Sequence, residues 1–315
     1  LKTAEKLVHA HKIEMLGYLH KPVNPEYLSE LIKKWKSPSQ EDQLQSSKKI
    51  YRVDELQSAI AHHELVNYYQ PKVSVATGEV IGVETLVRWH HPTDGLISPD
   101  RFISIAEENN LINELTTYVL TDALAQAKMW YESGLTLRVA INVSMDNLAS
   151  LDFQDLVVNL VTQAGLSPQN IVLEVTESQL MGADTRIPIE ILDRLRLKRS
   201  HLSIDDFGTG HSSMAQLRDI PFDELKIDQG FVHRAWTDTT LRAIYDASLS
   251  MAKQLGMMTV AEGVEDQNDW ELLRQTGCDL AQGNFVSKPL QAKEFSHWMQ
   301  AWQDRIHNGL IPDSI

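Results

Sequence analysis

Leu202-Ser203-Ile204-Asp205-Asp206-Phe207-Gly208-Thr209-Gly210 is a short apolar strand that runs into two adjacent carboxylates and then a glycine-broken turn. Neighbouring acids repel each other, so a fold that keeps them together usually supplies a cation. Glu84, Glu174 and Glu262 each accompany an apolar, strand-like run in the same way, and Asn142 adds a further oxygen donor. Hard oxygen ligands gathered at five strand ends read as a metal-dependent enzyme on a barrel.

Outward from this stretch, strands alternate with helices from Tyr51 onward. Short apolar runs predict strands at Tyr68 to Val75, Val80 to Trp89, Arg138 to Ser144, Ile171 to Thr176, His201 to Phe207, Glu224 to Ile227, Met258 to Gly263 and Leu280 to Val286. Apolar spacing of three and four predicts helices over Asn113 to Ser133, Asp152 to Ala164, Thr185 to Arg199, Asp238 to Leu255 and Gln267 to Thr276. Eight strands with repeated crossover helices are the footprint of an α/β, TIM-type (β/α)8 barrel. Ala76-Thr77-Gly78-Glu79, between the first two strands, is too short for a parallel crossover. One antiparallel strand near the start of the barrel is therefore expected.

Residues 1–36 read as a separate small α/β fragment, 37–50 as a polar linker, 51–306 as the barrel and 307–315 as a tail. The chain opens on Leu1 inside a helical pattern, which reads as a piece of a longer protein. Hydrophobic content of 43% with seven Trp is ample for a core. The formal charge of −14 argues against a nucleic-acid polymer as partner, but not against a small phosphorylated ligand at a metal site. No apolar run approaches the ~18 residues of a membrane helix and no secretory signal opens the chain, so a cytoplasmic setting without membrane contact is expected. The single cysteine, Cys278, reads as a small buried hydrophobe.

In such barrels chemistry sits at the carboxyl ends of the strands. There the sequence places Glu84, Asn142, Glu174, Asp205, Asp206, Lys226, Glu262 and Gln282. An all-oxygen set without His or Cys suits Mg²⁺ or Mn²⁺ rather than zinc, and adjacent aspartates could hold two ions ~3.5–4 Å apart around a transferring phosphoryl group. Lys226 would orient and help deprotonate a water, or stabilise phosphate charge; a structural ion pair with Asp223 or Asp228 is the competing reading. Arg88 suits a non-bridging phosphate oxygen. His90 and His91 are placed in a loop with no metal role, and Trp89 supports the mouth of the site or fills the core.

Glu84-Thr85-Leu86-Val87-Arg88-Trp89 resembles the signature of bacterial EAL domains, the cyclic di-GMP phosphodiesterases. Tyr69-Gln70-Pro71, Asn142-Val143-Ser144, Glu174-Val175-Thr176-Glu177-Ser178, the block from Ile204 to Val232, Ala261-Glu262-Gly263-Val264-Glu265 and Gln282-Gly283 follow in order. The resemblance spans roughly Tyr51 to Gln303. It implies a modified barrel that opens cyclic di-GMP to linear pGpG with Mg²⁺ or Mn²⁺, Ca²⁺ inhibiting, in a homodimer or higher oligomer. By position, Glu84, Asn142, Glu174, Asp205 and Asp206 would hold the metals, and Glu262 would ligate or fix the attacking water. Lys226 would act on that water, and Gln282 would hold the water or the ligand shell. Gln70, Leu86 and Arg88 would contact the ligand, with Asp228 and Glu265 as lesser contributors. Glu177 would anchor the loop after the Asp205-Asp206 strand. Thr85 replaces the signature alanine, His211 stands where a tyrosine is common, and Asn284 where an aromatic follows Gly283.

Leu16-Gly17-Tyr18-Leu19-His20-Lys21-Pro22-Val23 and the amphipathic helix after it resemble the end of a response-regulator receiver domain, with Lys21 as its phosphoryl-contacting lysine. That implies a full-length parent controlled by a sensor histidine kinase. Two other functions fit the same scaffold: a catalytically silent cyclic di-GMP sensor acting through protein partners, and hydrolysis of a different phosphodiester.

Overall fold

The computed structural model describes Leu28, residues 50–181, residues 186–209, Leu217 and residues 220–310. Contacts divide the chain into two units, Leu1–Ile50 and Tyr51–Ile315. The receiver-like fragment apart from Leu28, including Lys21, nearly all of the linker, and His211 lie outside the described residues.

After helix α1 (Val53–Ala61), strands β1 (Leu65–Ser74) and β2 (Val80–His91) form the hairpin expected from the four-residue connection. From β2 the sheet runs in parallel through β4 (Arg138–Asn142), β5 (Ile171–Thr176), β6 (His201–Phe207), β7 (Glu224–Ile227), β8 (Met258–Ala261) and β9 (Leu280–Ala281). Strand β1 then pairs antiparallel with both β9 and β2, closing an eight-stranded, TIM-type barrel with one reversed strand.

The two-residue period of each strand separates two environments. Along β5, Ile171, Leu173 and Val175 are fully buried against the helices, whereas Glu174 turns into the barrel. The same alternation sends Val139 and Ile141, Leu202 and Ile204, and Leu225 and Ile227 outward. They meet helices α3 (Ile112–Glu132), α4 (Asp152–Ala164), α5 (Arg186–Leu197), α7 (Thr239–Gln254), α8 (Gln267–Thr276) and α9 (Ala292–Arg305), which follow α2 (Ile103–Glu108) and, for α7 onward, α6 (Gln229–Val232). Asp238 and Asp266 cap the amino ends of α7 and α8 by accepting two backbone N–H bonds each. Among the described residues no helix is long and apolar enough to cross a membrane.

Several expectations are corrected. His90 and His91 are not in a loop: β2 continues through them and pairs with the short strand β3 (Gly95–Ile97). The strand expected over Leu280 to Val286 stops at Ala281, because Gly283 turns the chain at φ +154°, where a Cβ would lie 2.3 Å from the Val264 backbone nitrogen. A two-residue strand β10 (Leu290–Gln291), pairing with β1, and helices α1, α2, α6 and α9 are additional to the predicted elements. Trp89 faces outward, against Tyr51 and Phe102, with its Nε1 donating to Glu64, so it belongs to the core rather than the mouth. Cys278 is buried, as expected, and burial raises its thiol to about 11.

Candidate active site

The inward-facing residues at the carboxyl ends of the parallel strands converge on one amine. Lys226, fully buried in β7, places Nζ in ion-pair contact with Glu262 Oε1 (2.8 Å), Asp205 Oδ1 (3.0 Å), Glu174 Oε2 (3.1 Å) and Glu84 Oε2 (3.3 Å), donating hydrogen bonds to the last two. The ion pair considered for it with Asp223 or Asp228 is not made. Asp223 instead meets Arg196 and His201, and Asp228 caps α6 through Gly230 N.

The carboxylates fall into two sets. Ligand oxygens of Glu84, Glu174 and Asp205 lie within 4.8 Å of one another, as do those of Asp205, Asp206 and Glu262. Asp205 belongs to both. On a regular strand Asp205 and Asp206 would point to opposite faces. Here the pairing of β6 with β7 shifts register after Ile204, and Asp206 takes a left-handed φ of +54°, which lets it reach Glu262 beside Asp205. The next residue but one, Gly208, also has positive φ and packs where a Cβ would come within 2.8 Å of the Phe231 ring. Its N–H donates to Glu177 Oε2 at 2.6 Å, while the Glu177 N–H donates to the Asp205 carbonyl at 3.0 Å. The buried Glu177 thus ties the end of β5 to the turn after the aspartates.

Strand β2 carries Glu84, Leu86 and Arg88 on one face by its two-residue period. Glu84 accepts from Asn142 Nδ2 (3.0 Å) and Gln282 Nε2 (2.6 Å), and Gln282 Nε2 also reaches Gln70 Oε1 at 3.0 Å. A cleft of about 220 Å³ above these groups is lined by Gln70, Glu84, Leu86, Asp206, Asp228 and Glu262, with Glu265, Gln282 and Asn284 beside them. Asn284 donates to both oxygens of Glu265. Arg88 is not in this lining; its Nη1 turns to the Val87 carbonyl.

Charge in this pocket is unbalanced. Burial, against the pull of Lys226 and with repulsion from Asp205 and Glu84, pushes Glu262 up to about 8. Burial also lifts Glu174 to about 7, despite Lys226 and Lys72. Burial and the neighbouring Asp205 raise Asp206 to about 6. Glu84 is instead held low, at about 2, because Lys226, Lys72, Gln282 and Asn142 outweigh its burial. At Glu174, Glu262 and Asp206 burial and mutual repulsion outweigh the pull of the nearby lysines. An all-oxygen donor set with this excess charge, and a buried Gln282 Oε1 with no hydrogen-bond partner among the described residues, fits hard divalent ions.

Two charged residues of the barrel interior, Lys72 and Glu224, were not among the expected site residues. Each lies two positions from one of those residues, Gln70 and Lys226 respectively, and therefore on the same strand face. That period was the signal that could have found them.

The fold and this constellation define a class. The family model described as "EAL domain" matches residues 53–289, and the chain belongs to that family. Among curated proteins it is 39% identical over 262 residues to "Cyclic di-GMP phosphodiesterase NbdA" of Pseudomonas aeruginosa, covering 82% of this chain and 33% of that protein. It is 36% identical over 250 residues to "Oxygen sensor protein DosP" of Escherichia coli, covering 78% and 31%. The chain thus spans about a third of the length of these relatives. Among solved structures, "PaMucR Phosphodiesterase, c-di-GMP complex" superposes with a TM-score of 0.73 at 38% identity, covering 77% of this chain and 98% of that one. An EAL domain protein from Listeria monocytogenes superposes with a TM-score of 0.69 at 29% identity, covering 79% and 98%.

Proposed function

We propose that this chain is a phosphodiesterase that opens cyclic di-GMP to linear pGpG with two Mg²⁺ or Mn²⁺ ions. The observation that carries the reading is the pair of carboxylate sets sharing Asp205, set around Lys226 on the EAL scaffold. The names of relatives such as NbdA and of the MucR structure support the substrate. Glu84, Asn142, Glu174 and Asp205 would hold one ion, and Asp205, Asp206 and Glu262 the other. Bound there, the ions would polarise the attacked phosphate and lower the pKa of the attacking water.

The protein's own groups supply the rest. Water attacks phosphorus, one P–O3′ bond breaks, the leaving 3′-oxygen takes up a proton from solvent to become a hydroxyl, and the product keeps its 5′-phosphate. Four carboxylates hold the Lys226 amine protonated well above its ordinary value, against its burial. Ringed by those carboxylates, Lys226 would orient the water and stabilise phosphate charge. Glu262, whose side chain is 17% exposed at the mouth, is placed to accept that proton. Gln70 and Gln282 would fix the sugar-phosphate edge, Leu86 would pack on a base, and Arg88 would swing from the Val87 carbonyl onto a phosphate oxygen. Ca²⁺ is larger and accepts looser geometry, so it would fill the same oxygen sets without holding the water in line.

Two further proposals rest on the sequence resemblance alone, a homodimeric or larger assembly and a parent whose receiver segment is phosphorylated by a histidine kinase, while a cytoplasmic setting rests on composition. Incubating the chain with cyclic di-GMP and Mg²⁺ and separating the products tests the function. Appearance of pGpG, abolished by chelator, is expected. Tight binding without turnover would replace the proposal with the sensor reading.

A further inference from the structure

Beneath the carboxylate sets lies a second charged layer in the barrel. Because β1 runs against its neighbours, the inward residue after Gln70 is Lys72, directed toward the amino ends of the parallel strands. Lys72 is 3% exposed, and its Nζ bonds Glu174 Oε1 at 2.7 Å and Glu224 Oε1 at 2.8 Å. Glu224 also accepts from Ser203 Oγ at 3.1 Å. The two oxygens of Glu174 are thereby distinguished. Oε1 is held from below by Lys72, while Oε2 faces Glu84 and Asp205 through their shared partner Lys226.

We propose that Lys72 is a positioning residue: seated by Glu224 and Ser203, it pins Glu174 Oε1 so that Oε2 is presented to the cation shared with Glu84 and Asp205. The inference rests on the metal-dependent reading above. A carboxylate on a flexible side chain ligates well only when its orientation is fixed, and partners that fix a ligand typically contribute 10–100-fold to metal affinity. Lys72 bonds one oxygen and leaves the other, which is the geometry such fixing needs. Glu224 offsets part of the charge of Lys72, because an unpaired ammonium at this depth would be costly.

The test compares wild type, Lys72→Met and the double variant Lys72→Met/Glu224→Leu on the full chain. Mn²⁺ binding is followed by calorimetry, and kcat and KM for cyclic di-GMP and melting temperature are measured alongside. The expected result for Lys72→Met is Mn²⁺ affinity weaker by about 10–100-fold, with kcat reduced and KM for cyclic di-GMP changed less than about twofold. The double variant, which leaves no lone ion in the core, should recover melting temperature but not Mn²⁺ affinity. Should Lys72→Met fail to fold, the double variant carries the comparison. Wild-type Mn²⁺ affinity in the double variant would overturn the proposal, reducing Lys72 to a counter-ion for Glu224. Loss of melting temperature with unchanged Mn²⁺ affinity would overturn it equally. If wild type binds Mn²⁺ but leaves cyclic di-GMP intact, the function fails while the affinity comparison still decides the role of Lys72.

Discussion

Divalent-ion affinity should rise steeply with pH, and by different amounts at the two carboxylate sets. Ions bind the ionised carboxylates, so each raised group must release its proton first. With Glu262 at about 8, only ~1% of it is ionised near pH 6 and ~75% near pH 8.5. Asp206, at about 6, gains a further factor of ~2 over that range. The mouth set of Asp205, Asp206 and Glu262 should therefore tighten by about 10²-fold. In the deeper set Glu84, at about 2, is ionised throughout, and Glu174, at about 7, supplies a gain of only ~10-fold. Mn²⁺ calorimetry at several pH values, repeated in buffers of different ionisation enthalpy, reads both affinity and protons released. Affinities flat between about pH 6 and pH 8.5, or proton uptake on binding, would refute the electrostatic reasoning. Glu174 and Glu262 set a stability trend in chelator. Their folded pKa values lie above the unfolded ones, so their contribution is full below about pH 4.5 and is lost as pH rises through about 7 to 8. Adding Mn²⁺ should cancel that loss.

Replacing Glu84 with Ala removes the acceptor of Asn142, Gln282 and Lys226 and one ligand, and should lower cyclic di-GMP hydrolysis by at least about 10²-fold; a rate within twofold of wild type would remove Glu84 from the site. Glu177→Ala leaves the Gly208 N–H without its acceptor, at about 1–3 kcal/mol, and should depress turnover by releasing the turn behind Asp206; unchanged metal affinity and turnover would show that the tether is idle. The buried Thr85 hydroxyl has no hydrogen-bond partner among the described residues, so Thr85→Ala should hold stability within about 1 kcal/mol or raise it in thermal unfolding, and a loss above ~2 kcal/mol would mean the methyl packing dominates.

Much of the barrel was legible because its strands are short, continuous and apolar, and because Ala76 to Glu79 is too short for anything but a hairpin. Strand ends were harder to place. Apolar side chains resume at Phe285 and Val286, yet pairing stops at Ala281, since the backbone conformation of Gly283 is invisible in a hydrophobic pattern. His90 and His91 read as loop residues because Pro92 follows, whereas the β3 hairpin continues their strand. At the site, residue types were legible and orientations were not. Adjacent Asp205 and Asp206 alternate faces on any regular strand, and only the register shift and the left-handed Asp206 bring them to one set. Lys226 was weighed against its sequence neighbours Asp223 and Asp228, while its partners arrive from four other strands or strand ends. Lys72 and Glu224 escaped notice because a lone Lys or Glu in a strand ordinarily reads as solvated; their depth follows only from closure of the barrel by β1.

The central claim is that Asp205 is shared by two ions. Diffraction at the manganese absorption edge from crystals grown with Mn²⁺ tests it most directly. Two anomalous peaks about 3.5–4 Å apart, one between Glu84, Glu174 and Asp205 and one between Asp205, Asp206 and Glu262, are the predicted result. A single peak away from Asp205, or none among these carboxylates, would contradict it.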